Sequence, residues 1–385
     1  MKILLFANTE WYLYNFRRSL ALALREAGHE VLLVSPPGPY GARLQALGFR
    51  WLAAPMERLS LNLLRELWLL GWLWRLVRRE RVDVVHGFTI KCAVYGSLAA
   101  RGAQPWRGGV ARVNAVAGMG YVFTSSDAKA RALRPFVRGL LRLALGGKRS
   151  RLVLQNPDDV ALFRQAGLVD MARVRLIPGS GVDCARFAPG ERHGAAGPLR
   201  VLLPARLLWD KGVAEFVDAA RALRAQGRHI EFLLAGTPDA GNPAAVPEAT
   251  VRAWVAEGTV QWLGHVDDMP ALLRGVDVVA LPSYREGLPK GLIEAAACAL
   301  PLVTTDVPGC RHVVTDGVDG LRVPVKDAAA LARAIARLDD DPALRARLGT
   351  AARARALAEF DEAIVVGKTL EVYREVVDGA WAPAR

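Results

Sequence analysis

At 385 residues with 52% hydrophobic content, the chain has enough apolar material for two α/β domains of ordinary size. Its four cysteines, Cys92, Cys184, Cys298 and Cys310, show no CxxC spacing, which argues against a zinc ribbon or disulfide framework and predicts free, mostly buried thiols in a reducing cytoplasm. A formal net charge of +13 points to an anionic partner. Nucleic acid is not the one expected, because no helix-turn-helix, RNP or zinc-finger spacing occurs.

Taken in chain order, residues 2–7 read as a first buried strand, and the run is too short for a signal-peptide core. Residues 17–27 then predict a helix stopped by Gly28, and residues 30–35 a second strand. The most apolar stretch, residues 59–77, is interrupted by Arg65, Glu66 and Arg75, so no membrane-spanning helix is expected. Further strands are predicted at 82–86, 110–113, 152–155 and 174–177. Residues 184–198, rich in Pro and Gly, form the best linker. The alternation restarts with strands at 200–204, 230–235, 259–262, 276–281 and 302–304. Strands alternating with helices imply parallel sheets with right-handed crossovers, hence two Rossmann-like domains, with a ligand cleft at the carboxyl ends of their strands. Asp341-Pro342 predicts an N-cap with proline in the first turn, so capping accounts for Asp339-Asp340-Asp341 better than metal binding. His86, His265 and His312 share no ligand spacing, and no metal is expected.

Two basic amphipathic segments stand out. Residues 58–81 mix leucines with Trp68, Trp72 and Trp74 among arginines, and residues 129–151 set Phe136, Val137, Leu140, Leu141 and Leu143 among arginines and lysines. Such helices suit an anionic membrane surface, the second being the stronger candidate, although their apolar faces would also suit a domain core.

Two strand–loop–helix junctions carry the chemistry. The first, at residues 202–212, holds Arg206 and Lys211, a rigid fork and a point charge suited to a diphosphate. The second runs Glu286-Gly287-Leu288-Pro289-Lys290-Gly291-Leu292-Ile293-Glu294 after an apolar strand. Its Gly/Pro turn into a helix start offers backbone N–H groups to an anion, with a carboxylate on either side for hydroxyls. A ligand with phosphate in the middle and hydroxyls at both ends is a nucleotide sugar.

At these residues the chain resembles the retaining glycosyltransferases of family 4, which adopt the two-domain GT-B fold. Thr304-Thr305-Asp306-Val307-Pro308-Gly309-Cys310 and Ile177-Pro178-Gly179-Ser180-Gly181-Val182-Asp183 extend the likeness. Asn15-Phe16-Arg17 and the stretch from Asn114 through Gly118 and Gly120 to Thr124 suggest the bacterial branch that extends lipid-linked glycans. The resemblance implies an acceptor-binding domain at 1–183, the linker at 184–198, a nucleotide-sugar domain at 199–359, and a carboxyl-terminal helix at 360–385 returning to the first domain.

The implied reaction moves a hexose or N-acetylhexosamine from a nucleotide sugar, UDP-linked by expectation, to a lipid-linked saccharide. It is a cytoplasmic activity peripheral to the inner face of the membrane, and the nucleotide sugar serves as co-substrate without a further cofactor. Arg206 and Lys211 would neutralise the diphosphate, Glu286 would hold a hydroxyl of the transferred sugar, and Glu294 the ribose hydroxyls. Gly287, Leu288 and Lys290 would contribute backbone N–H groups, and His265 lies near the base position. Asn8 and Trp11 in the loop at 8–12, with Asn114 and Gly118 in the loop at 114–121, would meet the acceptor. Asn114 stands where many members carry histidine and cannot act as a general base; His312 stands where glutamate is common. The competing readings are a nucleotide-sugar epimerase or sugar phosphorylase on the same scaffold, and a catalytically silent membrane-surface adaptor.

Overall fold

The structure, a computed structural model, describes all residues except 58, 59, 61, 104–108, 117–127, 191–196, 240 and 378–385, and excludes the side chains of 128–134 and 136. The chain forms two compact units: Met1–Ser180 with Val365–Arg385, and Gly181–Ile364.

The first unit holds a seven-stranded parallel sheet in the order β3-β2-β1-β4-β5-β6-β7. Its strands are β1 Lys2–Phe6, β2 Glu30–Ser35, β3 Arg50–Ala53, β4 Val84–Phe88, β5 Ala111–Val116, β6 Ser150–Leu154 and β7 Val174–Leu176. The central strands are continuous apolar runs because helices cover both faces: Ile3, Leu5 and Val84 face one core, and Leu4, Phe6 and Val85 the other. The helix Glu362–Val376 places Val365, Val372, Tyr373 and Val376 in the first of these cores. There the Tyr373 hydroxyl meets His86 Nδ1 at 2.6 Å.

The second unit repeats the plan with six parallel strands in the order β10-β9-β8-β11-β12-β13. They are β8 Leu199–Pro204, β9 Ile230–Ala235, β10 Gln261–Gly264, β11 Val278–Leu281, β12 Leu302–Thr305 and β13 Gly320–Val323. β3 and β13, which sequence reading does not anticipate, are four-residue edge strands that carry little apolar signal. The span expected to be a linker belongs in part to the second core, where Cys184 and Phe187 are buried. Arg353 fastens it by donating to the carbonyls of Cys184 and Phe187 at 2.9 and 2.7 Å.

Asp341 caps the helix Pro342–Arg355 by accepting from Leu344 N–H at 2.8 Å. Asp339 and Asp340 pair instead with Arg228 at 2.8 and 2.7 Å. All four cysteines are free and buried.

Candidate functional site

In an open parallel sheet the ligand crevice lies outside the carboxyl ends of the strands, where the strand order reverses. In the second unit that point is between β8 and β11, which pair directly through Val201↔Val278 and Leu202↔Val279. The loop after β8 carries Arg206 and Lys211; the loop after β11 carries Glu286 and leads to Glu294. Two junctions far apart in sequence thus become neighbours at the switch point.

Backbone geometry holds them together. Gly212 adopts φ +72°, and a Cβ there would sit 2.2 Å from the Pro282 carbonyl oxygen, so only glycine lets the first loop lie against the second. Tyr284 N–H donates to the Asp210 carbonyl at 2.8 Å, and Glu286 N–H to the Pro308 carbonyl at 3.1 Å. The Thr304 hydroxyl donates to the Leu281 carbonyl at 2.7 Å and the Thr305 hydroxyl to the Ser283 carbonyl, which adds the end of β12 to the same frame.

Within this frame Lys211 Nζ donates to Glu286 Oε1 at 2.6 Å, with both side chains largely covered. The Ser283 hydroxyl donates to the same oxygen at 2.8 Å. Arg206 is half-exposed and reaches Asp239 Oδ2, beyond β9, at 2.6 Å. Glu294 lies on the helix Lys290–Ala297, 3.4 Å from Lys290 Nζ. Burial lifts its carboxyl above the ordinary glutamate range, with Lys290 and Arg186 pulling the other way. That helix has Pro289 at its N-cap and no side-chain cap, and Leu292 N–H turns back to the Pro289 carbonyl at 3.1 Å. Gly291 brings this first turn against β8, its ideal Cβ position lying 3.0 Å from the Pro204 carbonyl oxygen. A cation pair, an uncapped helix start and two carboxylates are therefore gathered at one switch point.

Residues 198–341 match the family described as Glycosyl transferases group 1, and residues 15–179 match the Glycosyl transferase 4-like domain. The chain belongs to these glycosyltransferases. It is 28% identical over 377 residues to N,N'-diacetylbacillosaminyl-diphospho-undecaprenol alpha-1,3-N-acetylgalactosaminyltransferase of Campylobacter jejuni, spanning 95% of this chain and 96% of that protein. UDP-Gal:alpha-D-GlcNAc-diphosphoundecaprenol alpha-1,3-galactosyltransferase of Escherichia coli is 25% identical over 74% of this chain and 73% of its own. Among solved structures, a glycosyltransferase from Rickettsia africae matches with a TM-score of 0.80 at 19% identity, covering 98% of this chain and 99% of its own. Anabaena HepE, solved with UDP and glucose, matches with a TM-score of 0.75 at 20% identity, covering 96% and 98%. The fold of this glycosyltransferase is GT-B.

The residues expected at the acceptor are placed less uniformly. Asn8 follows β1, but Trp11 lies in the helix Glu10–Phe16 rather than a loop, because the Thr9 side chain caps that helix by accepting from Tyr12 N–H at 3.1 Å. Asn114 is likewise not in a loop. It is paired with Gly87 inside β5, is 1% exposed, and accepts from the Ser97 hydroxyl at 2.9 Å. With its apolar neighbours Ala115 and Val116 it extends the strand past the expected end at residue 113. Gly118 lies outside the described residues. His265 is exposed after β10, two strands from β8 in the sheet, and faces Asp267 at 3.4 Å. Leu288 packs against the second core. Ser283 and Asp239 were not anticipated; the Gly236-Thr237-Pro238 turn before Asp239 was the available signal.

The amphipathic segments separate. In the helix Ala128–Leu145, Leu141, Ala144 and Leu145 are buried in a core while Leu143 is 51% exposed, and Phe136 lies outside the described side chains. The helix Leu63–Arg79 buries Leu69, Leu73, Leu76 and Val77 but leaves Leu63 71% and Leu64 77% exposed, with Leu67 and Trp68 beside them. No helix among the described residues is long and apolar enough to cross a membrane, and none of their His, Cys, Asp and Glu side chains gather in threes at metal-holding spacing.

Proposed function

We propose that this glycosyltransferase moves a hexose or N-acetylhexosamine, with retention, from a UDP-linked sugar to a lipid-diphosphate-linked saccharide. The observation that carries the donor half is the Lys211–Glu286 pair at 2.6 Å beside the uncapped helix start that leads to Glu294. The acceptor class is supported by the two relatives whose names print a diphospho-undecaprenol acceptor, and one of these names prints a UDP donor. Retention rests on the resemblance to family 4.

The geometry supports an exchange of partners on donor binding. Lys211 leaves Glu286 for the diphosphate, and Glu286 is freed to accept from a sugar hydroxyl. Arg206, held at the rim by Asp239, adds a second cation. Bond cleavage puts negative charge on the β-phosphate while positive charge develops at the anomeric carbon, so these cations and the first-turn N–H groups stabilise the transition state more than the ground state. The departing phosphate then takes the acceptor proton. Glu286 receives two donors and serves as an acceptor, which fits this role better than that of a hydrolase nucleophile. The exposed Leu63, Leu64, Leu67 and Trp68 on an arginine-bearing helix support peripheral attachment at an anionic membrane.

The test is a thermal-shift panel with UDP, GDP, ADP, NAD and several UDP-sugars, followed by product analysis with a lipid-linked acceptor. UDP at about 100 times its dissociation constant adds roughly 2.7 kcal/mol to wild-type stability, and Glu294→Ala and Lys211→Ala lose that shift. Product analysis separates transfer from epimerisation and phosphorolysis. A folded protein that shifts with no nucleotide would leave the silent-adaptor reading standing.

A further inference from the structure

The first sheet has its own switch point, between β1 and β4, and a cation sits at it. Arg17 is only 5% exposed. Its guanidinium lies 4.4 Å from the Phe88 ring centroid, at the carboxyl end of β4, and 5.4 Å from that of Tyr12. Its one hydrogen-bond partner among the described residues is the Tyr12 hydroxyl, which accepts at 2.9 Å; the shielded Nε–H has none, and no described carboxylate pairs with it. A guanidinium carries five N–H donors, and buried charges are ordinarily paired. The neighbouring His86 is no counter-charge, since burial and Arg17 itself drive its pKa well below the usual value and leave it neutral.

The surrounding backbone is also unfinished. The helix Thr89–Gly102 opens from β4 with Phe88 at its N-cap and no side-chain cap. Thr89 adopts φ +73°, a left-handed conformation that a β-branched residue rarely occupies and that marks functional turns when it occurs. Arg17 itself occupies the N-cap of the helix Arg18–Glu26, which likewise lacks a side-chain cap. A buried cation with no carboxylate partner among the described residues and two helix starts without a side-chain cap complement an anion.

We infer that Arg17 and the start of the helix Thr89–Gly102 form a phosphate- or diphosphate-binding site in the first unit, which reads the diphosphate of the acceptor. The inference rests on the acceptor class proposed above. It gives the first unit a charge-reading residue in the Asn15-Phe16-Arg17 motif, distinct from the donor cations of the second. The shared chemistry is a diphosphate, either free or carried on a prenyl chain.

The test titrates the full chain, with UDP saturating to occupy the second unit, with inorganic diphosphate and separately with farnesyl diphosphate. Wild type, R17M and R17K are compared after each is shown to be folded by its Tm. Wild type is expected to bind at least one of the two ligands, with R17M weakened about tenfold to a hundredfold, the loss of a charge-assisted contact. R17K, which keeps the charge but not the fork, falls between them and decides the matter if R17M does not fold. Preference for farnesyl diphosphate assigns the site to the lipid-linked source, and equal affinity assigns it to free diphosphate. Wild-type affinity in both folded variants, or no binding of either ligand by wild type, overturns the inference. UDP binding is read in the same series and is unchanged in R17M; its failure in wild type would count against the donor reading and not against Arg17.

Discussion

Gly212 offers a direct way to measure what the donor-site frame is worth. Gly212→Ala adds one methyl group at a left-handed residue, φ +72°, where the new Cβ would lie 2.2 Å from the Pro282 carbonyl oxygen. Gly227 is a matched control, since its φ is +75° and nothing lies within 4 Å of its Cβ position. Both substitutions incur the left-handed penalty of an L-residue, about 1–2 kcal/mol. Only Gly212→Ala adds a clash with backbone, which must retreat by about 1 Å, at a further cost of about 1–3 kcal/mol for overpacking. The expected loss of stability is therefore about 1–2 kcal/mol at Gly227 and about 2–5 kcal/mol at Gly212, read from urea unfolding midpoints at constant slope. Function should separate the two more sharply. The retreat moves Lys211 off Glu286, and a displacement of about 1 Å at a reacting centre costs on the order of a hundredfold in rate. Equal unfolding free energies for the two variants, or an unchanged UDP shift in Gly212→Ala, would refute the reasoning.

Two further expectations concern pH. Glu294 has a folded-state pKa raised by burial, so the folded protein binds more protons than the unfolded chain, and stability falls as pH rises from the ordinary glutamate value through the folded one. Glu294→Gln should therefore be more stable than wild type near neutral pH while losing UDP binding; a less stable variant in thermal scans would contradict this. Glu80 behaves oppositely: the Arg50 fork at 2.7 and 2.8 Å, helped by Lys2, holds its carboxyl at about 2. Its contribution is complete above the ordinary glutamate pKa and fades as pH falls from about 4.5 towards about 2. Because Arg50 is half-exposed and solvent-screened, Glu80→Gln should cost only about 0.2–1 kcal/mol near neutral pH, and the difference should shrink on acidification; a gap constant with pH would show that the pair is not its source.

The architecture was legible in the chain because parallel strands buried on both faces are written as unbroken apolar runs, and Ile3–Phe6 and Val278–Leu281 announce themselves without any partner in view. The two donor junctions were legible for a related reason. Turn chemistry is local: Gly212 permits a left-handed turn and Pro289 fixes its own φ wherever they stand. Caps such as Asp341 are local in the same sense. Edge strands β3 and β13 escaped because four-residue segments interrupted by arginine carry no strong hydrophobic pattern.

Tertiary structure alone decided who meets whom. Nothing in the sequence pairs Lys211 with Glu286 rather than leaving both for ligand; that follows from β8 lying beside β11. Nor does a run such as Arg-Val-Asn-Ala-Val reveal that Asn114 is sealed inside a strand against Ser97, since strand length depends on its neighbours in the sheet. The two amphipathic helices look alike by composition, and only packing showed that Leu141, Ala144 and Leu145 enter a core while Leu63 and Leu64 are exposed. Arg17 illustrates the division most plainly. Its charge is in the sequence, but its burial, with no carboxylate partner among the described residues, depends on Phe88 arriving from β4, a long-range contact that no local pattern encodes.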